Sequence, residues 1–597
     1  MPVPCSAPYP TAQDRAVLAA QPFDHNAAFA NTQLDSLCAR LSLERAQGQE
    51  GVLAPRHGAP WRLGVVIAGA DTLAEGFGAT WDSLRVQSLP PAAVALVAAD
   101  PAAVLSLRIW QETRRPVAPW GKAAVIEDRL APWLAGERLD LVVVLRAGDA
   151  VHPGLLCALA RQSLAPAEGD QAPDLMVWNH LLIRTDEQNA REHTEIAYIR
   201  AAHPRSHPLA LGHGQTTGSQ LAITPALLAT FPDDPAPLLA AGDIAALALW
   251  AARHARWGER LGEFLGACRV ASFERALRPV SPLGRAIVRA ALETPLLTTR
   301  PLVGDDPEAG VCQTPRRRAA SIDVVICFRD GADDTLACLD SLARQRTQAR
   351  VRVILVANQS SAETRARLHA ALPALGDAGL ATRWLDYDAP FNHSDQINHA
   401  LALRDDDPPG EAVLILSNDC VLLDGDTLDE LAAWALVPGI GAVGPRLVDE
   451  TGRLTGGAIE GLFLGQDLYP PITETFDCLH APLIREVMAV AFSCAALARA
   501  TWEHIPPLDA VHFPVGLNDV DYCLRLEAAG FVQVALGPWR ARHRPHGSRA
   551  HVDDNAQIAR LRTRYPHLWT ARERYPGNDF LRQIAVMQAR RTALGER

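Results

Sequence analysis

Asp419 follows the apolar run VLIL, separated from it only by Ser417 and Asn418. A carboxylate at the end of a buried strand, flanked by small polar side chains, suits the coordination of a hard divalent cation that also binds phosphate oxygens. Mg²⁺ takes one or two protein carboxylates and leaves its other positions to water and substrate. An ordinary Asn-Asp turn explains the same residues, since both types are favoured in turns. Both interpretations stay open from the local sequence.

Asp519 and Asp521 lie at the start of the amphipathic segment LNDVDYCLRL (517–526). Acidic side chains in the first turn of a helix complement its dipole, which is the structural interpretation. The chemical interpretation is a general base, with one carboxylate directed at the hydroxyl group of an acceptor. The segment alone does not separate these two interpretations.

The run WRARHRPHGSR (539–549) contains two histidines and four arginines. His543 or His546 is a candidate metal ligand, and the arginines are candidates for binding a diphosphate group. A solvated basic loop would have the same composition. Both interpretations are kept.

Polar side chains are also concentrated in FNHSDQIN (391–398), directly after a proline. Asn392 and Asn398 are candidates for the wall of a ligand pocket. The alternative is that the segment caps the helix that follows it, for which Ser394 is a suitable N-cap residue.

An internal repeat supplies the elements that must position these residues. Short β-branched runs bounded by turn-forming residues are typical of buried parallel strands, and here they alternate with helical segments. The matching segments are WRLGVVIAG (61–69) with SIDVVICFR (321–329), AVALVAAD (93–100) with VRVILVANQ (351–359), DLVVVLRAGD (140–149) with EAVLILSNDC (411–420), and AGDIAALALW (241–250) with LNDVDYCLRL (517–526). This order predicts two tandem α/β domains with Rossmann-like, mostly parallel sheets. Ligands of such sheets bind beyond the carboxyl ends of the strands.

The repeat and the Pro/Gly-rich stretches between its copies predict five segments in the 597 residues. They are a partly helical leader (1–60, with one helix near 26–45), a first α/β domain (61–277), a linker (278–320), a second α/β domain (321–550) and a helical C-terminal tail (551–597).

Composition and missing motifs exclude several classes of protein. The net charge of −11 disfavours a nucleic-acid binder. The eleven cysteines form no Cys-x-x-Cys pair, and the N-terminus lacks a basic and apolar leader, so a reducing cytoplasmic location is expected. The longest apolar runs are too short to span a membrane. No phosphate-loop, dinucleotide-binding, serine-hydrolase or zinc-protease signature is present.

Taken together, the C-terminal motifs resemble glycosyltransferase family two, which adopts the GT-A fold. The motifs occur in the order VVICFRD, VILVANQSS, PFNHSDQIN, GEAVLILSNDC, GAVGPRLVDETGRL, FPVGLNDVDYCLRLEAAGF and ARHRPHGSR. The resemblance is strongest to bacterial O-antigen and exopolysaccharide enzymes of the rhamnosyltransferase type, and RYPGNDFL resembles a tail motif of that group. It covers about residues 320–580.

The resemblance implies a role for each candidate residue. Asp419 would bind the metal ion, Mg²⁺ or Mn²⁺, His543 would complete its coordination shell, and Asp519 would be the catalytic base. Asn358 would lie in the loop that holds the nucleotide base. The other residues assigned to donor binding are Arg329, Asn392, Asn398, Ser417 and Asn418. The donor would be a dTDP-, UDP- or GDP-linked sugar, and the acceptor a glycan or a lipid-linked glycan.

Two positions in the second domain depart from the family pattern. Ser417 stands where relatives often have Asp or Asn, so one metal ligand is lost or replaced by water. Ala357 replaces a common Asp, which affects recognition of the nucleotide base. No Gln-x-x-Arg-Trp element follows Asp519, which argues against a processive synthase.

The first domain also resembles a family-two unit, but its chemical residues are eroded. Arg146 replaces an Asp of the Asp-Ala-Gly-Asp pattern although Asp149 remains, His180 replaces another Asp, and Ala245 follows a retained Asp243. An arginine beside a diphosphate–metal site would repel the cation. A non-catalytic scaffold or acceptor-binding domain is therefore expected.

The leading hypothesis is an inverting, metal-dependent glycosyltransferase of surface polysaccharide synthesis. The alternative is a catalytically inactive glycosyltransferase-like protein that binds glycan or a partner transferase. Peripheral contact with the inner face of the cell membrane stays open as well, because a lipid-linked acceptor would favour it.

Overall fold

The computed structural model describes a defined part of the chain, and the sites below refer to it. The described residues are 62–69, 77–85, 87, 89–98, 100–113, 123–151, 154–162, 173–186, 191–197, 220–256, 258–269, 281–301, 311–403, 407–452, 454–461, 472–473, 484–543 and 554–566. The predicted leader helix near 26–45 and the RYPGNDF segment (574–580) lie outside them. Within them, no helix combines the length and apolar character that crossing a bilayer requires.

The described residues divide into two compact units, one containing 62–292 and the other containing 293–301 and 312–566. We call them the N-terminal unit and the C-terminal unit. The division falls inside the predicted linker (278–320). That stretch contains a helix, Pro282–Leu292, and two paired strands, Leu297–Pro301 and Val311–Pro315.

The N-terminal unit alternates strands with helices. Its strands are β1 (Leu63–Ala68), β2 (Ala93–Val97), β3 (Ala124–Ile126), β4 (Leu141–Arg146), β5 (Ala150–Val151), β6 (Leu175–Asp186), β7 (Arg191–Ala197), β8 (Leu221–Ile223) and β9 (Gly258–Arg269). Its helices are α1 (Phe77–Arg85), α2 (Pro101–Thr113), α3 (Ala131–Glu137), α4 (Leu155–Gln162), α5 (Pro225–Leu228), α6 (Ala236–Ala240), α7 (Ile244–His254) and α8 (Pro282–Leu292).

The C-terminal unit follows the same alternation. Its strands are β10 (Leu297–Pro301), β11 (Val311–Pro315), β12 (Ser321–Phe328), β13 (Arg350–Asn358), β14 (Leu380–Tyr387), β15 (Ala412–Leu416), β16 (Cys420–Leu422), β17 (Ile440–Val448), β18 (Leu454–Gly456), β19 (Ala458–Gly461), β20 (Ile472–Thr473), β21 (Ile484–Val487), β22 (Ala489–Val490), β23 (Cys494–Ala498) and β24 (Val532–His543). Its helices are α9 (Ala332–Ala343), α10 (Ala362–Asp377), α11 (His393–Leu401), α12 (Thr427–Ala435), α13 (Arg499–His504), α14 (Asn518–Ala528) and α15 (Asp554–Arg564).

The main sheets of the two units have the same strand order. In the described part of the chain the order is β3-β2-β1-β4-β8-β6-β9-β5 in one and β14-β13-β12-β15-β23-β17-β24-β16 in the other. The first four strands of each order are parallel, and the fifth pairs antiparallel to the fourth. The predicted α/β class is thus confirmed, with antiparallel pairs in the second half of each sheet.

The parallel strands form because their side chains are apolar on both faces. Apart from its first residue and Cys327, β12 is buried along its length, and β15 is buried throughout. Parallel strands covered by helices on both faces carry such continuous apolar runs. This arrangement brings the carboxyl ends of β12, β13 and β15 to one edge of the sheet.

An aromatic cluster packs α14 onto the C-terminal sheet beside that edge. Phe492, Phe513 and Tyr522 are at most 2% exposed, and all belong to one apolar core. The rings of Phe492 and Tyr522 meet edge to face with centroids 5.9 Å apart, and Trp502 stacks on Tyr522 at 5.0 Å. Edge-to-face pairs of this kind stabilise beyond the area they bury. The start of α14 therefore lies on a rigid support.

A buried ion cluster secures the opposite end of β12. Asp323, 1% exposed, accepts two hydrogen bonds of 2.9 Å from the guanidinium of Arg352 and one from the backbone N–H of Gly410. The guanidinium of Arg499 donates to the same carboxylate. Burial alone would raise the pKa of Asp323, but the hydrogen bonds from Arg352 and Gly410 hold that pKa below its ordinary value.

We expect Asp323→Ala to lower the free energy of unfolding of the C-terminal unit by about 3–5 kcal/mol, because it leaves two buried guanidinium groups without their carboxylate. Urea denaturation of the full chain at pH 7 measures this. Since the pKa of Asp323 is lowered by folding, its stabilisation is complete above the unfolded value of about 3.9 and is lost as the pH falls through the folded pKa. The difference in free energy of unfolding between Asp323→Ala and the wild type should therefore become smaller as the pH is lowered.

The matched control is Asp340→Ala, which removes an aspartate that is 63% exposed and paired with Arg344 one helical turn away. Exposed pairs of this kind contribute less than about 1 kcal/mol. Equal losses from the two substitutions would contradict the role assigned to Asp323.

Candidate active site

Asp419 and His543 are brought together by a short antiparallel pair of strands. β16 begins directly after Asp419 and pairs with the end of β24, with Cys420 opposite His543. The Oδ1 atom of Asp419 lies 3.6 Å from Nε2 of His543, and their side chains are 8% and 20% exposed. The turn after β15 and the end of β24 thus present one carboxylate and one imidazole to the same space.

This pair fits a divalent cation by its donor chemistry. Mg²⁺ and Mn²⁺ accept carboxylate oxygen, and imidazole suits several divalent metals. Asp419 and His543 are thus the residues that would hold such a cation, with their nearest donor atoms 3.6 Å apart. Among the described residues, no group of three or more His, Cys, Asp or Glu side chains is arranged to hold a metal ion.

The turn that carries Asp419 is fixed by its neighbours. The backbone N–H of Ser417 donates to the carbonyl of Ser493 at 2.8 Å. The side-chain amide of Asn418 donates to the hydroxyl of Thr335 at the start of α9, at 3.0 Å. The predicted Asn-Asp turn is therefore present, and it orients a carboxylate at the sheet edge. Contact of Ser417 and Asn418 with a donor stays a prediction.

Buried thiols lie beneath this turn. Cys338, Cys420 and Cys494 are at most 1% exposed and all are free. Burial, followed by the neighbouring Cys420 thiol and the Asp419 carboxylate, raises the pKa of the Cys338 thiol well above its ordinary value. The Cys338 thiol, buried close to Asp419, is therefore neutral near pH 7.

Asp519 is the second residue of α14, and the chain enters this helix through a strained residue. Leu517 has a φ of +57°, a region that bulky side chains rarely adopt. The backbone N–H of Asp519 donates to Oδ1 of Asn518 at 2.9 Å, and that of Val520 donates to Oδ1 of Asp519 at 2.8 Å. Strain of this kind is found where surrounding structure holds a functional residue in place.

The segment that carries Asp419 and the side chain of Asp519 both hydrogen-bond to one turn, residues 491–493. The carbonyl of Ser493 accepts from Ser417, two residues before Asp419. The backbone N–H of the adjacent Phe492 donates to Oδ2 of Asp519 at 3.4 Å. The turn 491–493 therefore hydrogen-bonds both to the backbone that leads into Asp419 and to the carboxylate of Asp519.

The FNHSDQIN motif supports the segment that leads into α14. Asn392 donates to the carbonyl of Ala510, and Ser394 donates to that of Phe513. The amide of Asn398 both donates to and accepts from the backbone of Leu508. The segment does cap the helix that follows it, but the N-cap of α11 is Asn392, which accepts from the N–H of Asp395, and not Ser394. Donor contact by Asn392 and Asn398 stays a prediction.

Asn358 is the last residue of β13, and Arg329 directly follows the neighbouring parallel strand β12. Asn358 is 1% exposed, and its side-chain amide donates to the carbonyls of Tyr387 and Ala389, at 3.0 and 2.8 Å. It therefore shapes the loop after β14. Arg329 is exposed just beyond β12. Whether either residue binds the donor remains a prediction.

The basic run (539–549) is only partly described. Arg540 pairs with Asp424, and its guanidinium donates to that carboxylate at 2.8 Å. His546 and its neighbours 544–550 lie outside the described residues. In the described part of the run, Arg540 is thus paired with Asp424, and His543 lies beside Asp419.

In the N-terminal unit the corresponding carboxylates are held by internal contacts. Asp149 is fully buried and accepts from the backbone N–H of Arg146, whose guanidinium lies 3.7 Å from its second oxygen. Asp243, 2% exposed, accepts from both the N–H and the hydroxyl of Ser281. The side chain of His180 lies outside the described residues. Both retained aspartates therefore have structural partners.

Sequence reasoning missed the contribution of the C-terminal helix. Leu561 of α15 is 1% exposed and belongs to the same core as α14. Tyr565, just after α15, donates from its hydroxyl to Asp521 at 2.9 Å. Asp521 is fully buried, which a capping aspartate at an exposed helix start would not be. The sequence signal that could have indicated this contact was Asp521, a second carboxylate on the apolar side of α14.

Comparison with known proteins adds two relatives. No family model matches the chain. O-antigen biosynthesis protein RfbC of Myxococcus xanthus is 31% identical over 242 residues, 39% of this chain and 18% of the relative. The uncharacterized protein y4gI of Sinorhizobium fredii is 30% identical over 197 residues, 32% of this chain and 21% of the relative. The match thus spans about a fifth of the length of these curated relatives.

Solved structures resemble the chain only distantly. The mannosyltransferase PcManGT from Pyrobaculum calidifontis, in complex with GDP-Man and Mn²⁺, has a TM-score of 0.33 and 16% identity over 47% of this chain and 74% of its own. S. aureus TarS has a TM-score of 0.30 and 15% identity over 45% of this chain and 43% of its own. Scores this low carry no argument about activity. What the comparisons do establish is that a stretch of this chain is related in sequence to an O-antigen biosynthesis protein.

Proposed function

We propose that the C-terminal unit is an inverting, metal-dependent glycosyltransferase that moves a sugar from a nucleotide-sugar donor to a hydroxyl group of a glycan or lipid-linked glycan. The observation that carries the proposal is the shared turn at residues 491–493. This turn hydrogen-bonds to Ser417, two residues before the Asp419 that faces His543, and to the carboxylate of Asp519. A cation-binding pair and a candidate base beside one turn are what a direct displacement requires.

The chemistry assigned to the protein falls on three side chains. Asp519 accepts the proton of the acceptor hydroxyl, and the N–H groups of Phe492 and Val520 orient its carboxylate. Asp419 and His543 would hold the divalent cation, Mg²⁺ or Mn²⁺. When bound, this cation neutralises charge on the departing nucleoside diphosphate. Attack from the face opposite the leaving group inverts the anomeric carbon.

The proposed biological setting rests on the similarity to RfbC. RfbC is named for O-antigen biosynthesis, which supports a surface polysaccharide as the product. The donor would carry dTDP, UDP or GDP, and the hexosyl group would come from it. We place the reaction in the cytoplasm, at the inner face of the membrane where a lipid-linked acceptor would lie.

The N-terminal unit is proposed as a non-catalytic scaffold or acceptor-binding domain. Its buried Asp149 is paired with Arg146, and its Asp243 is hydrogen-bonded by Ser281. A cationic guanidinium beside Asp149 disfavours a second cation there.

The test is release of nucleoside diphosphate from a panel of UDP-, GDP- and dTDP-sugars with Mn²⁺ and glycan acceptors, with the anomeric configuration of the product determined by NMR. Metal-dependent release with an inverted product supports the proposal. Tight, metal-dependent binding of a nucleoside diphosphate by calorimetry without turnover would instead identify an inactive, glycosyltransferase-like binding protein. A product with retained configuration would overturn the displacement mechanism.

A further inference from the structure

Side chains of α15 hydrogen-bond to the segment that leads into α14. Gln557, 3% exposed, accepts from the backbone N–H of Gly516 at 3.0 Å. The guanidinium of Arg560 donates to the carbonyl of His512 at 3.0 Å. We call Gln557, Arg560, Arg564 and Tyr565 the C-terminal clamp, and residues 506–516 the entry segment of α14.

The clamp also holds α14 itself through a buried carboxylate. Asp521 is fully buried, and its Oδ1 accepts from Arg564 at 2.8 Å and from the Tyr565 hydroxyl at 2.9 Å. Its Oδ2 accepts from Arg525 of the same helix at 3.0 Å. A buried carboxylate with three donors is stable only while all three remain in place. Asp521 therefore fixes how α14 is placed relative to α15.

Arg564 connects this carboxylate to the entry segment. Its second terminal nitrogen donates to Asp509 at 2.7 Å, and its guanidinium lies over the ring of Phe513 with 5.0 Å to the centroid. Burial would raise the pKa of Asp509, but the hydrogen bonds from the His512 backbone and from Arg564 lower it to about 2. Asp509 is therefore ionised throughout the neutral range, and the ion pair persists there.

Asp519 lies between these two attachment points. The entry segment ends at Gly516, Leu517 takes its strained conformation, and Asp519 follows two residues before Asp521. Gln557 fixes the chain on one side of Asp519 and Arg564 with Tyr565 fixes it on the other. Forces on both sides are needed to hold a bulky residue at a positive φ.

We propose that the C-terminal clamp is a positioning element for Asp519 and for the acceptor side of the site. This inference rests on the proposed transferase function. The clamp contacts α14 and its entry segment, whereas Asp419 directly precedes β16 and His543 ends β24. Loss of the clamp should therefore impair transfer to the acceptor and leave binding of the metal and nucleoside diphosphate unchanged.

The experiment compares Arg564→Gln and Tyr565→Phe with Arg562→Gln, which removes the same charge from an exposed arginine on the same helix. We expect Arg564→Gln to lower kcat for transfer about 10- to 100-fold, since small displacements of a catalytic group have effects of this size. Tyr565→Phe should give a smaller loss in the same direction. The Kd for nucleoside diphosphate with Mn²⁺ should stay within about twofold in all three variants.

A double variant separates positioning from general damage. If the clamp acts through Asp519, adding Arg564→Gln to Asp519→Asn should cause no further loss of transfer, because groups that act as a unit are not additive. Independent, multiplicative losses would overturn the proposal. So would a parallel loss of nucleoside diphosphate binding in Arg564→Gln.

Amide hydrogen exchange tests the clamp without any turnover. Arg564→Gln and Tyr565→Phe should speed exchange in 508–520 and leave β12 and β13 at wild-type protection. Unchanged exchange in 508–520 would refute the clamp whatever the activity. If the wild-type enzyme transfers no sugar while exchange responds as expected, the proposed function fails and the structural clamp stands.

Discussion

Asp519→Asn should lower the rate of sugar transfer about 10²- to 10⁴-fold, the contribution usually made by one general base. Asparagine keeps the shape of the side chain and an oxygen that can accept from Phe492 and Val520, but it cannot take up the proton of the acceptor. The thermal unfolding temperature should therefore stay near that of the wild type. Initial rates with saturating donor and acceptor measure the effect on kcat.

The chain contains its own control for this substitution. Asp243 occupies the matching position at the start of α7 in the N-terminal unit, where Ser281 binds its carboxylate. Asp243→Asn should leave transfer within about twofold of wild type, because that unit is proposed to be non-catalytic. Equal losses from both substitutions would contradict the assignment of catalysis to the C-terminal unit.

Asp419→Ala should abolish metal-dependent binding of nucleoside diphosphate. Substituting groups that merely support metal ligands weakens metal affinity by about 10- to 100-fold, so removal of a ligand should cost at least as much. His543→Ala should act in the same direction, since its Nε2 lies 3.6 Å from the carboxylate. Calorimetric titration of UDP, GDP and dTDP with and without Mn²⁺ measures the loss.

Asp424→Ala is the matched control for Asp419→Ala. Asp424 is a nearby carboxylate that pairs with Arg540 instead of His543. Its removal changes the local charge by the same amount but takes away no proposed ligand. Metal-dependent binding should survive in this variant. If Asp419→Ala binds nucleoside diphosphate and Mn²⁺ as tightly as Asp424→Ala does, the metal-site assignment is wrong.

Local patterns were sufficient to predict the parallel half of each sheet. The run 93–100 contains the strand Ala93–Val97, and the run 351–359 overlaps all but the first residue of the strand Arg350–Asn358, because continuous apolar stretches have few other ways to be buried. The second half of each sheet, in which antiparallel and parallel pairs are mixed, was not predicted. Its pairs, such as β15 with β23, join segments about eighty residues apart whose partners no local pattern specifies.

In the candidate site, too, some features follow from the local sequence and others depend on contacts between distant segments. The Asp-containing turn after β15 is a local feature and was predictable from the strand that precedes it. The roles of Asn392 and Asn398 were not, because their contacts are with Ala510 and Leu508, 118 and 110 residues away. The same holds for Asp521, whose partners Arg564 and Tyr565 lie at the end of α15, 43 and 44 residues further along the chain.

The hydrogen bonds from Ser281 to Asp243 limit how the N-terminal unit can be altered by substitution. A substitution of Ala245 by aspartate would not by itself release the neighbouring carboxylates. The carboxylate of Asp243 would still be engaged by Ser281, and Arg146 would still lie beside Asp149. Replacing Ser281 as well would remove the hydroxyl donor from the buried carboxylate of Asp243, which lowers the stability of the fold. A change in the chemistry of this carboxylate is therefore coupled to a loss of stability in the N-terminal unit.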